Sequence, residues 1–233
     1  MCFCAFCGYA THHYEMRELS VRSIVLLIAV TMLANTTTNT SHAATDENPL
    51  LADWGGPYGG VPPFDRVQIP LFKPALEAAI AERLTEVQKI ASDPAPPTFE
   101  NTIVALERTG RALDRVGTLY GVWESTMASP EYQVVQREMA PHLAAAEDEI
   151  TQNEALFKRV EAVYNSPEKA KLNPEQQRLV WVYYTQLVRA GARLSAEAKK
   201  RLSQINQQLA GLYYKVQPER ARGRERSVHR AED

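Results

Sequence analysis

Pro70-Leu-Phe-Lys-Pro-Ala-Leu-Glu-Ala-Ala-Ile-Ala-Glu-Arg-Leu-Thr-Glu-Val87 carries its large apolar residues, Phe72, Leu76, Ile80, Leu84 and Val87, at spacings of four, four, four and three. That period lays them along one stripe of an α-helix rather than on alternate faces of a strand. Ser92-Asp-Pro-Ala-Pro-Pro97 ends the helix, because three prolines in six residues remove the amides it would need. Thr98 is then placed to cap a second helix, along which Ile103, Leu106, Leu113, Val116, Tyr120 and Trp123 form another stripe. Ser129-Pro130 places a capping side chain before proline at the first helical position. Asn173-Pro174 repeats the device, and Gln176 three residues on completes a capping box. These signals predict a third helix over roughly 130–150, a fourth over roughly 153–165 and a fifth from Pro174.

The fifth helix carries two adjacent stripes, Leu179, Tyr183, Leu187 and Val180, Tyr184, Val188, which predicts burial across a wide arc. A last helix starts at Ser195, with Leu202, Ile205, Leu209, Leu212 and Val216 at three, four, three and four. No stretch of the body alternates as a strand does. The expected fold is all-α, an antiparallel array of about six helices over residues 70–216.

Both flanks differ from this body. Residues 44–69 contain Trp54-Gly-Gly-Pro-Tyr-Gly-Gly and Pro62-Pro-Phe-Asp65, too rich in glycine and proline for a helix, and read as an extended leader or ordered loop. The glycine pairs make no phosphate cradle, since no Lys-Ser/Thr follows and no strand precedes them. Residues 1–43 read as a signal peptide region. Arg17 and Arg22 precede an apolar run from Ile24 to Ala34, and Ser41-His-Ala-Ala44 supplies small residues for cleavage after Ala43. The run is about half of the ~20 residues that span a bilayer, so it predicts export, with a periplasmic location, and membrane contact only during export. The alternative is an uncleaved, membrane-tethered signal. Residues 1–15 precede the basic segment and read as a mis-assigned start. After Val216 the stripe stops and five arginines fall within residues 217–230; residues 217–233 read as an unstructured, out-of-frame or truncated tail.

Composition narrows the function. Setting both ends aside leaves 19 basic and 22 acidic residues over 44–216, which gives nucleic-acid binding no electrostatic support. All three cysteines, Cys2, Cys4 and Cys7, lie in the first seven residues. Cys4-x-x-Cys7 supplies half of a zinc site at most, because His12 and His13 are adjacent and no second pair stands at a finger-like distance. His142 follows Pro141, four residues after Glu138; a lone histidine lacks the three convergent ligands that zinc requires and reads as an ordinary helix residue. Glu147-Asp-Glu149 reads as a solvated face. Tyr183-Tyr184 and Tyr213-Tyr214 fit either peptide contact or helix packing.

Four segments resemble the thimet oligopeptidase family of zinc metallopeptidases, in its peptidyl-dipeptidase and oligopeptidase A branch. They are Tyr58-Gly-Gly-Val-Pro-Pro-Phe-Asp65, Phe72-Lys-Pro-Ala-Leu-Glu-Ala-Ala79, Pro97-Thr-Phe-Glu-Asn-Thr-Ile-Val-Ala-Leu-Glu107 and Leu202-Ser-Gln-Ile-Asn-Gln-Gln-Leu-Ala210. The third is the most specific, and the resemblance runs over about residues 48–216. It implies a helical N-terminal region forming one wall of a deep channel that admits short peptides. It also implies a zinc site further along, on a His-Glu-x-x-His helix whose histidines share a face and whose glutamate is the general base. Of the five histidines here, His12, His13, His42, His142 and His229, none is followed directly by glutamate. No catalytic or metal-binding residue carries over, and no zinc is expected on this chain. The reading is an N-terminal fragment of a secreted zinc oligopeptidase acting on short peptides, with the catalytic half absent. Two other readings are a stand-alone helical peptide-binding or inhibitory module and a helical structural protein.

Overall fold

The structure, a computed structural model, describes residues 48–57 and 60–229, with side chains described as far as Val216. The expected signal segment lies outside those residues. Six long helices follow one another: α1 (Ile69–Ala91), α3 (Arg111–Thr126), α4 (Pro130–Thr151), α5 (Glu154–Asn165), α6 (Pro174–Arg189) and α7 (Ala196–His229). Between α1 and α3 a π-helical turn, Phe99–Val104, runs into the single turn α2, Ala105–Glu107. Short 3-10 turns occupy Phe64–Arg66 and Pro167–Lys171. Among the described residues there is no strand, only an isolated bridge between Gly55 and Val61. No described helix is long and apolar enough to cross a membrane.

The predicted caps form. Thr98 and Asn101 exchange side-chain and backbone bonds in a capping box, as do Asn173 and Gln176, and Ser129 accepts from the amide of Tyr132. One predicted helix does not form as read. The stripe from Ile103 to Trp123 is broken at Gly110, whose φ of +79° ends one helix and begins the next. Glu86 accepts the Gly110 amide at 2.7 Å and the Arg83 side chain lies over its Cα, leaving no space for a Cβ without displacement. Leu106 and Leu113 stand seven apart, a spacing that suits a continuous helix, so periodicity alone does not reveal the break.

A second difference lies at the far end. The backbone of α7 remains helical through His229 rather than unstructured from residue 217. Alanine, arginine and glutamate favour the helix there, against Pro218 and Gly223, which oppose it. Of the two readings of the leader, extended or an ordered loop, the described residues are ordered: Leu50 is fully buried, and Arg115 ties the segment down through the carbonyl of Leu51 and the carboxylate of Asp53.

α1 and α4 act as common spines for two cores. The first gathers the N-terminal half of α1, α3 and the start of α4 around Phe72, Leu76, Val116, Leu119, Tyr132 and Met139. The second gathers the C-terminal half of α1, the Phe99–Glu107 turns, α5 and α6 around Val87, Ile103, Leu156, Phe157, Val160 and Val180. Of the two stripes on α6, Val180 and Leu187 are buried while Tyr183, Tyr184 and Val188 are half-buried. The wide arc is used, but one side of it stays open.

Candidate functional site

That open side is a groove. A cavity of 690 Å³ lies among α1, α2, α4, α5 and α6. Its floor is apolar, made by Val87, Leu106, Ile150 and Leu187, which the helical period of each element turns inward. The volume and the apolar lining fall in the range of small-ligand pockets. Its rim is polar: Arg83 of α1 reaches Glu147 of α4 at 3.4 Å, and the Tyr183 hydroxyl donates to Glu107 at 2.6 Å. Burial, with the neighbouring Glu107 carboxylate adding to it, pushes the Tyr183 hydroxyl well above its ordinary range, so it is a neutral donor at any physiological pH. The groove can therefore hold an apolar side chain, with charge at its mouth to orient polar backbone.

The tyrosine pairs divide between the two roles left open by their sequence. Tyr183 lines the groove, whereas Tyr184 turns away and stacks on Tyr164 with centroids 4.0 Å apart and planes 5° off parallel. Tyr214 is half-buried, its hydroxyl pushed up to about 12 by burial and by Glu124, while Tyr213 is exposed. Tyr214 serves packing, and Tyr213 stands on an outer face of α7.

The acidic run 147–149 is not a uniformly solvated face. Glu147 and Glu149 are exposed, but Asp148 is buried, and its Oδ1 accepts from Asn206 of α7 at 2.7 Å and from Gln152 at 3.1 Å. Successive helical residues differ by about 100°, so one member of any three-residue run can meet a neighbouring helix. Asp148 is that member, and it pins α7 to α4. Sequence reasoning missed it because nothing in an acidic triplet marks which carboxylate has a partner. His142 is exposed on α4, and the neighbouring Glu138 is engaged by Lys73 at 2.8 Å. Cys2, Cys4, Cys7, His12, His13 and His42 lie outside the described residues. Among the described residues no three His, Cys, Asp or Glu side chains gather as a metal site would require.

No protein-family model matches the chain. Individual proteins do. The dipeptidyl carboxypeptidase of Salmonella typhimurium is 36% identical over 165 residues, which is 71% of this chain and 24% of that protein. The dipeptidyl carboxypeptidase of Escherichia coli is 33% identical over 168 residues, again 24% of its length. Oligopeptidase A of Escherichia coli is 25% identical over 165 residues. The chain spans about a quarter of the length of the curated relatives it matches.

Proposed function

We propose, on the premise that the helical body of this chain is homologous to dipeptidyl carboxypeptidase and oligopeptidase A of the thimet oligopeptidase family, that it is the N-terminal helical region of a secreted zinc oligopeptidase. The observation that carries the reading is the 36% identity sustained over 165 residues. The local structure supports it. Pro97-Thr-Phe-Glu-Asn-Thr-Ile103, the most specific resembling segment, is where Thr98 and Asn101 close a capping box, Asn101 also donates to the carbonyl of Pro96, and Ile103 is fully buried. Thr98, Asn101 and Ile103 thus each have a structural task in that segment.

In this reading the helices are a wall against which short peptides lie, and the groove rimmed by Arg83, Glu107, Glu147 and Tyr183 belongs to that wall. Zinc would polarise the scissile carbonyl and activate water in the complete peptidase. The residues of this chain do not fit that metal: they offer no His-Glu-x-x-His pair and no described trio of ligands. No hydrolytic step is therefore assigned to them, and catalysis falls to further polypeptide. Export rests on the sequence of residues 16–44, and a periplasmic site of action follows from it.

One observation favours a second reading. The groove has the size and lining of a binding site in its own right, which suits a stand-alone helical peptide-binding or inhibitory module. A single experiment separates the two. The purified chain is given zinc and a quenched short peptide, and both turnover and peptide anisotropy are followed. The fragment reading expects no turnover and, at most, weak binding; saturable tight binding without turnover favours the module. Chelator-sensitive turnover overturns both.

A further inference from the structure

Three tyrosine pairs touch among the described residues, and one of them lies face to face. Tyr213 and Tyr214 meet edge-on, their planes 88° apart, and Tyr120 and Tyr132 are tilted by 53° with both rings buried. Tyr164 of α5 and Tyr184 of α6 are within 5° of parallel, with centroids 4.0 Å apart, and both are part-buried. This pair sits within a longer cluster. Phe157, seven residues before Tyr164 and so on the same side of α5, stacks on Tyr184 with centroids 6.0 Å apart. The Lys169 ammonium stands 3.8 Å from the centroid of Tyr164, and Arg193 donates to the Tyr184 hydroxyl and to Glu161. Two oxidisable rings are thus held in contact, from different helices, where part of each still meets solvent.

We propose that Tyr164 and Tyr184 are an oxidative cross-linking site, at which a diffusible one-electron oxidant joins α5 to α6 through a dityrosine bond. The proposal holds or fails apart from the family reading. Each phenol gives one electron to the oxidant and its hydroxyl proton to water. The two radicals join through a ring carbon beside each hydroxyl, and the hydrogens on those carbons shift to the phenolic oxygens, which restores both rings. The sum is the loss of two electrons and two protons, with one new carbon–carbon bond. Contact between the faces brings the ring carbons together before any radical forms, so coupling within the pair outruns an encounter with a ring of another chain. Partial exposure admits a small oxidant, while the faces already in contact shut out a third phenol. The buried pair Tyr120 and Tyr132 lacks that access, and the edge-on pair Tyr213 and Tyr214 lacks the overlap. The cations set a condition. Lys169 over one ring and Arg193 at the other hydroxyl both make an electron harder to remove, so a weak oxidant leaves the pair intact and a strong one is required.

The test uses the full chain, dilute, with photoexcited ruthenium tris-bipyridyl and persulfate as the oxidant. Disulfides are then reduced, the 26.1 kDa monomer is isolated under denaturing conditions, and it is digested for mass spectrometry. Expected are the blue fluorescence of dityrosine in the monomer and one joined pair of peptides, lighter than their sum by two hydrogens, that links Tyr164 to Tyr184. Tyr164→Phe and Tyr184→Phe keep the stacked ring and are each expected to abolish that pair of peptides, whereas Tyr213→Phe is expected to leave it. Where a phenylalanine variant fails to fold, the peptide map of the unaltered chain decides alone. The same treatment in guanidinium is expected to remove the preference for this pair, because the fold no longer holds the rings together. Absence of any link within the monomer overturns the proposal, as do links between chains alone. A link that maps to other tyrosines, or one that survives Tyr184→Phe or is as selective in guanidinium, overturns it equally.

Discussion

The two cores are built from helices of similar kind and end differently. Around Phe72 the core is aromatic and closed: its ring lies 5.4 Å from that of Tyr132, 5.9 Å from Tyr120 and 5.7 Å from Trp123. Around Val180 and Leu187 the buried residues are mostly aliphatic, and a groove remains between α6 and the spines. Aromatic side chains span the gap between helices in one step. In the second core the aromatic rings of Phe157, Tyr164 and Tyr184 stack on one another, away from the groove floor of Val87, Leu106, Ile150 and Leu187. Packing is completed at one end, and space for a ligand is kept at the other.

Phe72→Ala is the strongest test of this contrast. Truncating a fully buried ring with three aromatic neighbours is expected to cost about 3–5 kcal/mol in denaturant unfolding. Leu187→Ala, on the groove floor, is expected to cost about 2 kcal/mol, since one side of it already faces open space. Equal losses would break the comparison and mean that the groove closes in solution.

Arg159 comes next, a buried charged anchor at the second core. Its guanidinium donates to the carbonyls of Asp93 and Ala95 at 2.7 and 3.0 Å and to the Asp93 carboxylate at 3.3 Å. Arg159→Met is expected to cost about 2–4 kcal/mol, because it strands buried acceptors. A neutral result would show that water replaces it.

How far such anchors are legible in sequence depends on whether a signal is local. Ser129-Pro130 and Asn173-Pro174 announce their helices because a cap acts over three residues. Gly110 was hidden in a stripe that runs across it in step. Arg159 meets Asp93 across 66 residues, and no pattern within the helix of one or the linker of the other points to its partner. The groove was invisible for the same reason: it is a property of distances between helices, and periodicity reports only on directions within one. The stripe on α7 shows both sides of this, since its residues were readable and the exposure of Leu209, Leu212 and Val216 was not.

Tyr132→Phe sharpens the picture of the closed core at smaller scale. The hydroxyl donates to the carbonyl of Tyr120, and its loss is expected to cost about 1 kcal/mol, against no measurable change for Tyr183→Phe at the half-exposed groove rim. Smallest of all is a pH effect at the surface of the first core. Lys73 holds the Glu138 carboxyl below its ordinary 4.5 through a direct hydrogen bond. The stabilisation from a depressed carboxyl is present above its unfolded value and is lost as pH falls through the folded one. Glu138→Gln is therefore expected to lessen slightly the drop in melting temperature between pH 6 and pH 3. A steeper drop in the variant would assign the acid sensitivity elsewhere.

The segment between α1 and the π-helical turn has one more consequence. Pro94, Pro96 and Pro97 have no amide hydrogen, the amides of Ala95 and Thr98 are taken by Asp93 and Asn101, and the carbonyls of residues 93, 95 and 96 are taken by Arg159 and Asn101. A protease must draw some eight residues of substrate into extended form, and exposed loops are where it usually succeeds. Here no strand of free backbone is on offer. The exposed join between the first helices is therefore a linker that is itself hard to digest.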